Sequence, residues 1–376
     1  MAVYPLHDEF IDMLGRIALA DRALIAIAAH FEVRSVLATS DELRAHGLDD
    51  ILIGSYARRV SIWPGKDVDL FGRLSLESVN SMAPDEAYEM FGRGLQSFAD
   101  QGRVTPQPRS FKVGFDRTRY PSATSLRSAA REYDWRQARV DEVIRSLQEL
   151  AFEFSVDVVP AVGWDKHYGI PQVDRRGANG EQYRTGAWRL TDPVALTTET
   201  HVRNRAPKVA GRGAFVPTVK AIRQIKAHHL PEAKPSSLYY EFALHEGFKS
   251  GEIVGNSWAD IISSALSFLA RRVATASSQP VCDPILAEPY APAPSTAELG
   301  VVRAAFGELA GWADRAVTSN SRCQAAIEWR RVFGGNDKYS NVFWLPAGCR
   351  GTGAAMGAAA ANVSSGGTAE KSFGEH

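Results

Sequence analysis

From Glu9 to about Gly47 apolar residues recur at helical spacing (Phe10, Leu14, Ile17, Leu24, Ile27, Phe31) with charges between them, which predicts two helices or one long bent one. The period then shortens. Ile51-Leu52-Ile53 is an apolar run ended by Gly54-Ser55, and Val68 and Leu70 alternate with Asp67 and Asp69, so both segments read as strands. Pro84 followed by Asp85 and Glu86 marks a helix start, with Tyr88, Phe91, Leu95 and Phe98 as its apolar stripe. Ser110 to Phe115 alternates like a strand, residues 116 to 135 have no clean period and read as a loop or irregular crossing, and Val140 to Leu150 is amphipathic helix. In Phe152 to Val159, Phe154, Val156 and Val158 fall on one face and Ser155, Asp157 and Val159 on the other. Beyond Pro217 the text turns helical, over Val219–His229, Ser237–Lys249, Trp258–Ala276, Glu298–Val317 and Cys323–Phe333. The expectation is α+β: a mixed sheet with helices over residues 1 to 190, then an all-α region over 191 to 345.

Composition narrows the class. The 376 residues are 45% hydrophobic, enough for a sizeable core, and 43 Lys+Arg balance 43 Asp+Glu, so no global field draws the chain to nucleic acid or an anionic membrane. The N-terminus has neither a basic n-region nor an apolar h-region, and Arg16, Asp21 and Arg22 break the stretch from Leu14 to Phe31; a cytoplasmic protein without a membrane span is expected. Cys282, Cys323 and Cys349 are odd in number, far apart and without C-x-x-C spacing, which argues against a disulfide or a zinc site and for a reducing compartment. Eighteen of the last thirty residues are Ala, Gly or Ser, so 346 to 376 reads as a flexible tail.

The candidate chemistry lies in Gly54-Ser55-Tyr56-Ala57-Arg58 and, eight residues on, Asp67-Val68-Asp69-Leu70. A strand ending in Gly-Ser lets backbone N–H groups and a hydroxyl approach an anion. Asp67 and Asp69, at i and i+2 on a strand, share a face. Two carboxylates so close repel unless a cation neutralises them, and hard oxygens suit Mg2+ or Mn2+. A bare D-x-D can equally be two solvated carboxylates, but Asp157 adds a third acid in an otherwise apolar strand. Three acids beside a Gly-Ser turn favour a two-metal phosphoryl- or nucleotidyl-transfer site.

The pattern hydrophobic-Gly-Ser, eleven residues, Asp-x-Asp, then a distant strand Asp resembles the polymerase β-type nucleotidyltransferase superfamily. With Val156-Asp157-Val158-Val159-Pro160 it resembles, more narrowly, the bacterial cGAS/DncV-like nucleotidyltransferases of CBASS anti-phage systems. Val219 to Lys226, Lys234-Pro235-Ser236-Ser237 with Glu241, Cys282-Asp283-Pro284 and Trp329 to Gly334 resemble that family's helical-domain elements. The family often carries Thr two residues after the motif Arg; here Arg59-Val60-Ser61 stands there, with Ser61 the nearest hydroxyl.

The resemblance implies a polymerase β-like nucleotidyltransferase domain followed by a helical domain, and a metal-dependent synthase joining NTPs, ATP among them, into a cyclic or linear oligonucleotide messenger. Asp67 and Asp69 would hold two Mg2+ or Mn2+ ions, Asp157 would complete one and help activate a ribose hydroxyl, and Gly54, Ser55, Tyr56 and Arg58 would form the nucleotide-side loop. Lys226, Ser236 and Ser237 would contact the triphosphate and Asp283 the nucleotide. Seven Lys/Arg and no acid lie between His201 and His229, a favourable local potential for a triphosphate. The resemblance further implies a downstream effector acting through the messenger and a regulatory protein at the tail. With no basic surface or zinc insertion, direct nucleic-acid activation is not expected. Trp63 and Tyr56 are candidates for base stacking or core packing, and His228-His229, about 100° apart on a helix, suit a helix end better than a shared metal. Two other readings remain open: a nucleotidyltransferase modifying a tRNA or protein, and a catalytically silent nucleotide-binding module.

Overall fold

A computed structural model describes residues 6–75, 81–150, 152–176 and 181–349. The first half runs α1 (His7–Arg16), α2 (Asp21–Leu37), α3 (Asp41–Ala45), β1 (Asp49–Ile53), α4 (Gly54–Ala57), β2 (Asp67–Leu74), α5 (Pro84–Gly94), α6 (Gln96–Ala99), β3 (Val104–Pro106), β4 (Phe111–Phe115), α7 (Ala123–Glu132), α8 (Gln137–Arg145), α9 (Leu147–Leu150), β5 (Phe154–Trp164), β6 (His167–Arg176) and β7 (Glu181–Thr191). The second half runs α10 (Pro193–Arg203), β8 (Lys208–Val209), β9 (Arg212–Gly213), α11 (Phe215–His229), α12 (Ser237–Ser250), α13 (Trp258–Thr275), α14 (Thr296–Thr318) and α15 (Arg322–Phe333). The fold is α+β, with a mixed sheet and a helical C-terminal region.

Two compact units result, one of Leu19–Thr197 and one joining Met1–Ala18 to Thr198–His376. In the first, the sheet order is β1-β2-β5-β4-β3, with β6 on β5 and β7 on β6. β2 and β5 are parallel and the other pairs antiparallel. The alternation of β2 and β5 sends Val68, Leu70, Val156 and Val158 into a core shared with Ile25, Ala29 and Val33 of α2 and Phe91 of α5. The opposite face carries Asp67, Asp69, Ser155 and Asp157, and further along it a small apolar cluster of Ile53, Phe71, Ala161 and Ile170. One face of the central strands is therefore sealed and the other left for chemistry.

The second unit takes its first helix from the far end of the chain. Phe10 of α1 is fully buried, its ring 5.0 Å from that of Trp329 and 5.1 Å from that of Phe343. Burying such a ring stabilises by about 2–3 kcal/mol. The segment after α15 folds back across the same cluster: Arg16 donates to the Val342 carbonyl at 3.1 Å and stacks over Trp344.

Three expectations are corrected. Residues 123–132, expected within a loop, form α7, capped by the Ser122 hydroxyl accepting from Ser125 N–H; Arg127, Arg131 and Glu132 face outward, and the buried face, Ser125, Leu126, Ala129 and Ala130, has Leu126 as its one large apolar residue, so no apolar stripe marks it. The C-terminal half is not wholly helical, because β8 and β9 make a short antiparallel ribbon. Cys323 and Cys349 are disulfide-bonded, with Cα atoms 5.3 Å apart across 26 residues. Sequence spacing says nothing about a return path, and here the chain after α15 comes back to that helix's first turn. From residue 350 on, the Ala/Gly/Ser-rich segment lies outside the described residues. No helix among the described residues is long and apolar enough to cross a membrane.

Candidate active site

The site begins where β1 stops. Gly54 adopts φ +71°, a left-handed conformation that glycine enters without the cost paid by other residues, and α4 starts there. A Cβ on Gly54 would collide with the Asp69 carboxylate, so the glycine is also what lets that carboxylate lie against the turn. Ile53 and Asp69 are register partners across β1–β2, which explains the meeting of turn and acid. Gly54→Ala is expected to cost about 1–2 kcal/mol in backbone strain and, by displacing Asp69, to lower any turnover that depends on that carboxylate about a hundredfold. A melting curve beside a product assay reads the two effects separately.

Ser55 anchors the turn that follows. Its carbonyl accepts from Val60 and Ser61 N–H at 2.9 and 3.2 Å, and its hydroxyl lies 2.6 Å from the Ser61 hydroxyl. Ser61, three residues after Arg58, thus steadies the Ser55 side chain. Tyr56 points the other way, buried in the core with its hydroxyl donating to the Gly65 carbonyl at 3.4 Å, and burial above all, then the charge of Asp67, raises its pKa. Arg58 is 5% exposed. Trp63 is covered on one face by the Arg22 guanidinium, 3.5 Å from its ring.

Asp67 and Asp69 share the open face of β2, and Asp157 is the register partner of Asp69 on β5. Ser155, the partner of Asp67, puts its hydroxyl 3.0 Å from Asp67 Oδ1 and 3.2 Å from Asp157 Oδ1. Burial, reinforced by the charge of Asp67, raises Asp157 to a pKa of about 6; the Ser155 hydroxyl and Lys112 oppose the rise. Among the described residues no three His, Cys, Asp or Glu side chains close round one metal-sized point. In type the donors suit a hard divalent cation: carboxylate oxygens on one face, one of them driven toward protonation by burial and then by its neighbour.

The sequence reading missed two residues of this face. Ser155 was on the correct face but had no role. Lys112 sits directly opposite Asp157 across β4–β5, in a segment whose alternation, Phe111, Val113 and Phe115 inward, already put it on the other face.

The remaining candidates belong to the other unit. Lys226, on α11, donates to the Pro231 carbonyl at 3.2 Å, and burial, then Lys234, lowers its pKa. Ser236 is the N-cap residue of α12, but its hydroxyl meets the Tyr290 hydroxyl at 2.8 Å and caps no backbone N–H. Ser237 begins that helix beside Arg223 and Glu241. Asp283 Oδ1 accepts from Ile285 and Leu286 N–H, holding a turn. The two histidines separate as their helical positions imply, with rings perpendicular: His228 Nδ1 accepts from Gly335 N–H and His229 Nε2 faces the Arg331 and Val332 carbonyls.

No protein-family model matches the chain, and no curated protein matches it. Solved structures do. CdnC of Escherichia coli MS115-1, solved with ATP, is 15% identical, with 90% of this chain and 98% of that one covered at a TM-score of 0.60. The same protein in complex with HORMA-deltaN aligns at 0.57 over 87% and 96% of the two chains, again at 15% identity. CdnG, a CD-NTase of Bradyrhizobium diazoefficiens solved with GTP, is 14% identical over 88% of this chain and 96% of that one, with a TM-score of 0.59. The cyclic AMP-GMP synthase DncV of Vibrio cholerae, with nonhydrolyzable GTP, is 11% identical over 87% and 95%, at 0.53. These identities speak to architecture, and the chain has the fold of the cGAS/DncV-like nucleotidyltransferases.

Proposed function

We propose that the protein is a metal-dependent nucleotidyltransferase that joins NTPs, ATP among them, into a cyclic or linear oligonucleotide messenger in anti-phage defence. The observation that carries this reading is the Gly54 turn abutting Asp69 on a sheet face that also holds Asp67 and Asp157. The neighbours lend support, since CdnC and CdnG are described with ATP and GTP and DncV as a cyclic AMP-GMP synthase.

In this reading Asp67, Asp69 and Asp157 would hold the divalent cations. Bound there, the ions supply neutralisation of charge on the α-phosphoryl group and the pyrophosphate leaving group. Gly54 and Ser55 orient the donor triphosphate through backbone N–H groups and a hydroxyl. Asp157, with its raised pKa, accepts the proton of the attacking ribose hydroxyl. Lys226, Ser236 and Ser237 are assigned to triphosphate binding and Asp283 to nucleotide binding. CdnC's complex with HORMA-deltaN supports a protein regulator for this chain as well.

The test is to incubate the full chain with all four α-labelled NTPs and Mg2+ or Mn2+, then treat with phosphatase. A resistant small product establishes messenger synthesis, and omitting one NTP at a time identifies its bases. Label found only in acid-precipitable RNA or protein added to the reaction replaces this reading with modification of a macromolecule, and NTP binding without any transfer replaces it with a silent module.

A further inference from the structure

Asp67 and Asp157 come from different strands, yet one hydroxyl touches both. Ser155 is fully buried, and its backbone N–H donates to the Lys66 carbonyl at 2.8 Å, which fixes the strand at this point. That oxygen lies 3.0 Å from Asp67 Oδ1 and 3.2 Å from Asp157 Oδ1. A serine hydroxyl has one proton to give; between two carboxylates it is shared, and it sets which oxygen of each faces the other. Among the described residues Oδ2 of neither Asp67 nor Asp157 takes a hydrogen bond, so each carboxylate keeps one oxygen uncommitted. A serine needed only to fill space between strands would not require this hydroxyl.

We propose that Ser155 is a positioning residue for the cation site: its hydroxyl holds Oδ1 of Asp67 and Asp157 and thereby leaves both Oδ2 atoms to a divalent cation. The inference rests on the reading of the three acids as a metal site and adds the group that sets their spacing. Lys112 cannot serve in its place. It faces Asp157 from the next strand and brings charge, whereas the spacing between two carboxylates is set by a group that bonds both.

Mn2+ titrated alone into the full chain, followed by the loss of free-ion electron paramagnetic resonance signal, tests this without turnover. Ser155→Ala removes the hydroxyl at nearly constant volume and is expected to weaken Mn2+ binding about tenfold to a hundredfold. Ser155→Thr, which restores a hydroxyl, is expected to recover most of it, and the rise in melting temperature on adding Mn2+ should be smaller for Ser155→Ala than for the parent. Wild-type Mn2+ affinity in Ser155→Ala, with binding lost in Asp67→Asn, overturns the role of Ser155 and leaves the metal site standing. Wild-type affinity in both variants overturns the metal reading and the role of Ser155 with it.

Discussion

Replacing Asp67 or Asp69 with Asn is expected to lower product formation from NTPs about a thousandfold or more while the protein still folds. Each change keeps the side-chain volume and removes one negative charge from the open face of β2, where neither carboxylate contributes to the core. If the cations supply several kcal/mol of transition-state stabilisation, a loss of about 4 kcal/mol corresponds to about three orders of magnitude in rate. Steady-state product formation at saturating Mg2+, beside a melting curve, checks both halves. Near-parent turnover by either variant would remove the acids from the chemistry.

Asp157→Asn is expected to separate stability from activity. Its carboxyl, raised to about 6 by burial and by Asp67, is harder to ionise in the folded chain than in the unfolded one, whose carboxylates titrate near pH 4. Between those values the folded state holds the extra proton, so this group's contribution to stability falls as pH rises and levels off above about pH 6. The cost is absent below about pH 4 and fully present at neutral pH, where it amounts to about 2–3 kcal/mol at most. Asp157→Asn removes it, so the metal-free variant should melt higher than the parent at pH 7.5, with the difference closing toward pH 4. Divalent cations should raise the parent's melting temperature more than the variant's, and, on the proposed role of Asp157 as acceptor of the ribose hydroxyl proton, product formation should fall about a hundredfold or more. A variant no more stable than the parent at pH 7.5 would contradict the electrostatic account of this face.

The sequence by itself determined a good deal. Strict alternation in Val68 to Leu70 and Phe154 to Val158, interrupted by acids, identified two strands and the face on which Asp67, Asp69 and Asp157 stand, because a two-residue period leaves no freedom once one face is apolar. The helical text after Pro217 likewise became α11 to α15. Local period cannot report pairing. That β2 lies parallel to β5 with Asp69 beside Asp157, that Lys112 faces Asp157, and that Ser155 reaches both Asp67 and Asp157 are consequences of register between segments up to about ninety residues apart, set by how the two faces bury. The capture of Phe10 among Trp329 and Phe343, and the return of Cys349 to Cys323, were decided in the same way. Helix α7 escaped notice because Leu126 is the one large apolar residue on its buried face, so its period is carried by charges on the outside rather than by an apolar stripe. Chemical identity was therefore written in the residues, while proximity, and with it the charge balance on the acidic face, came only from the packed fold.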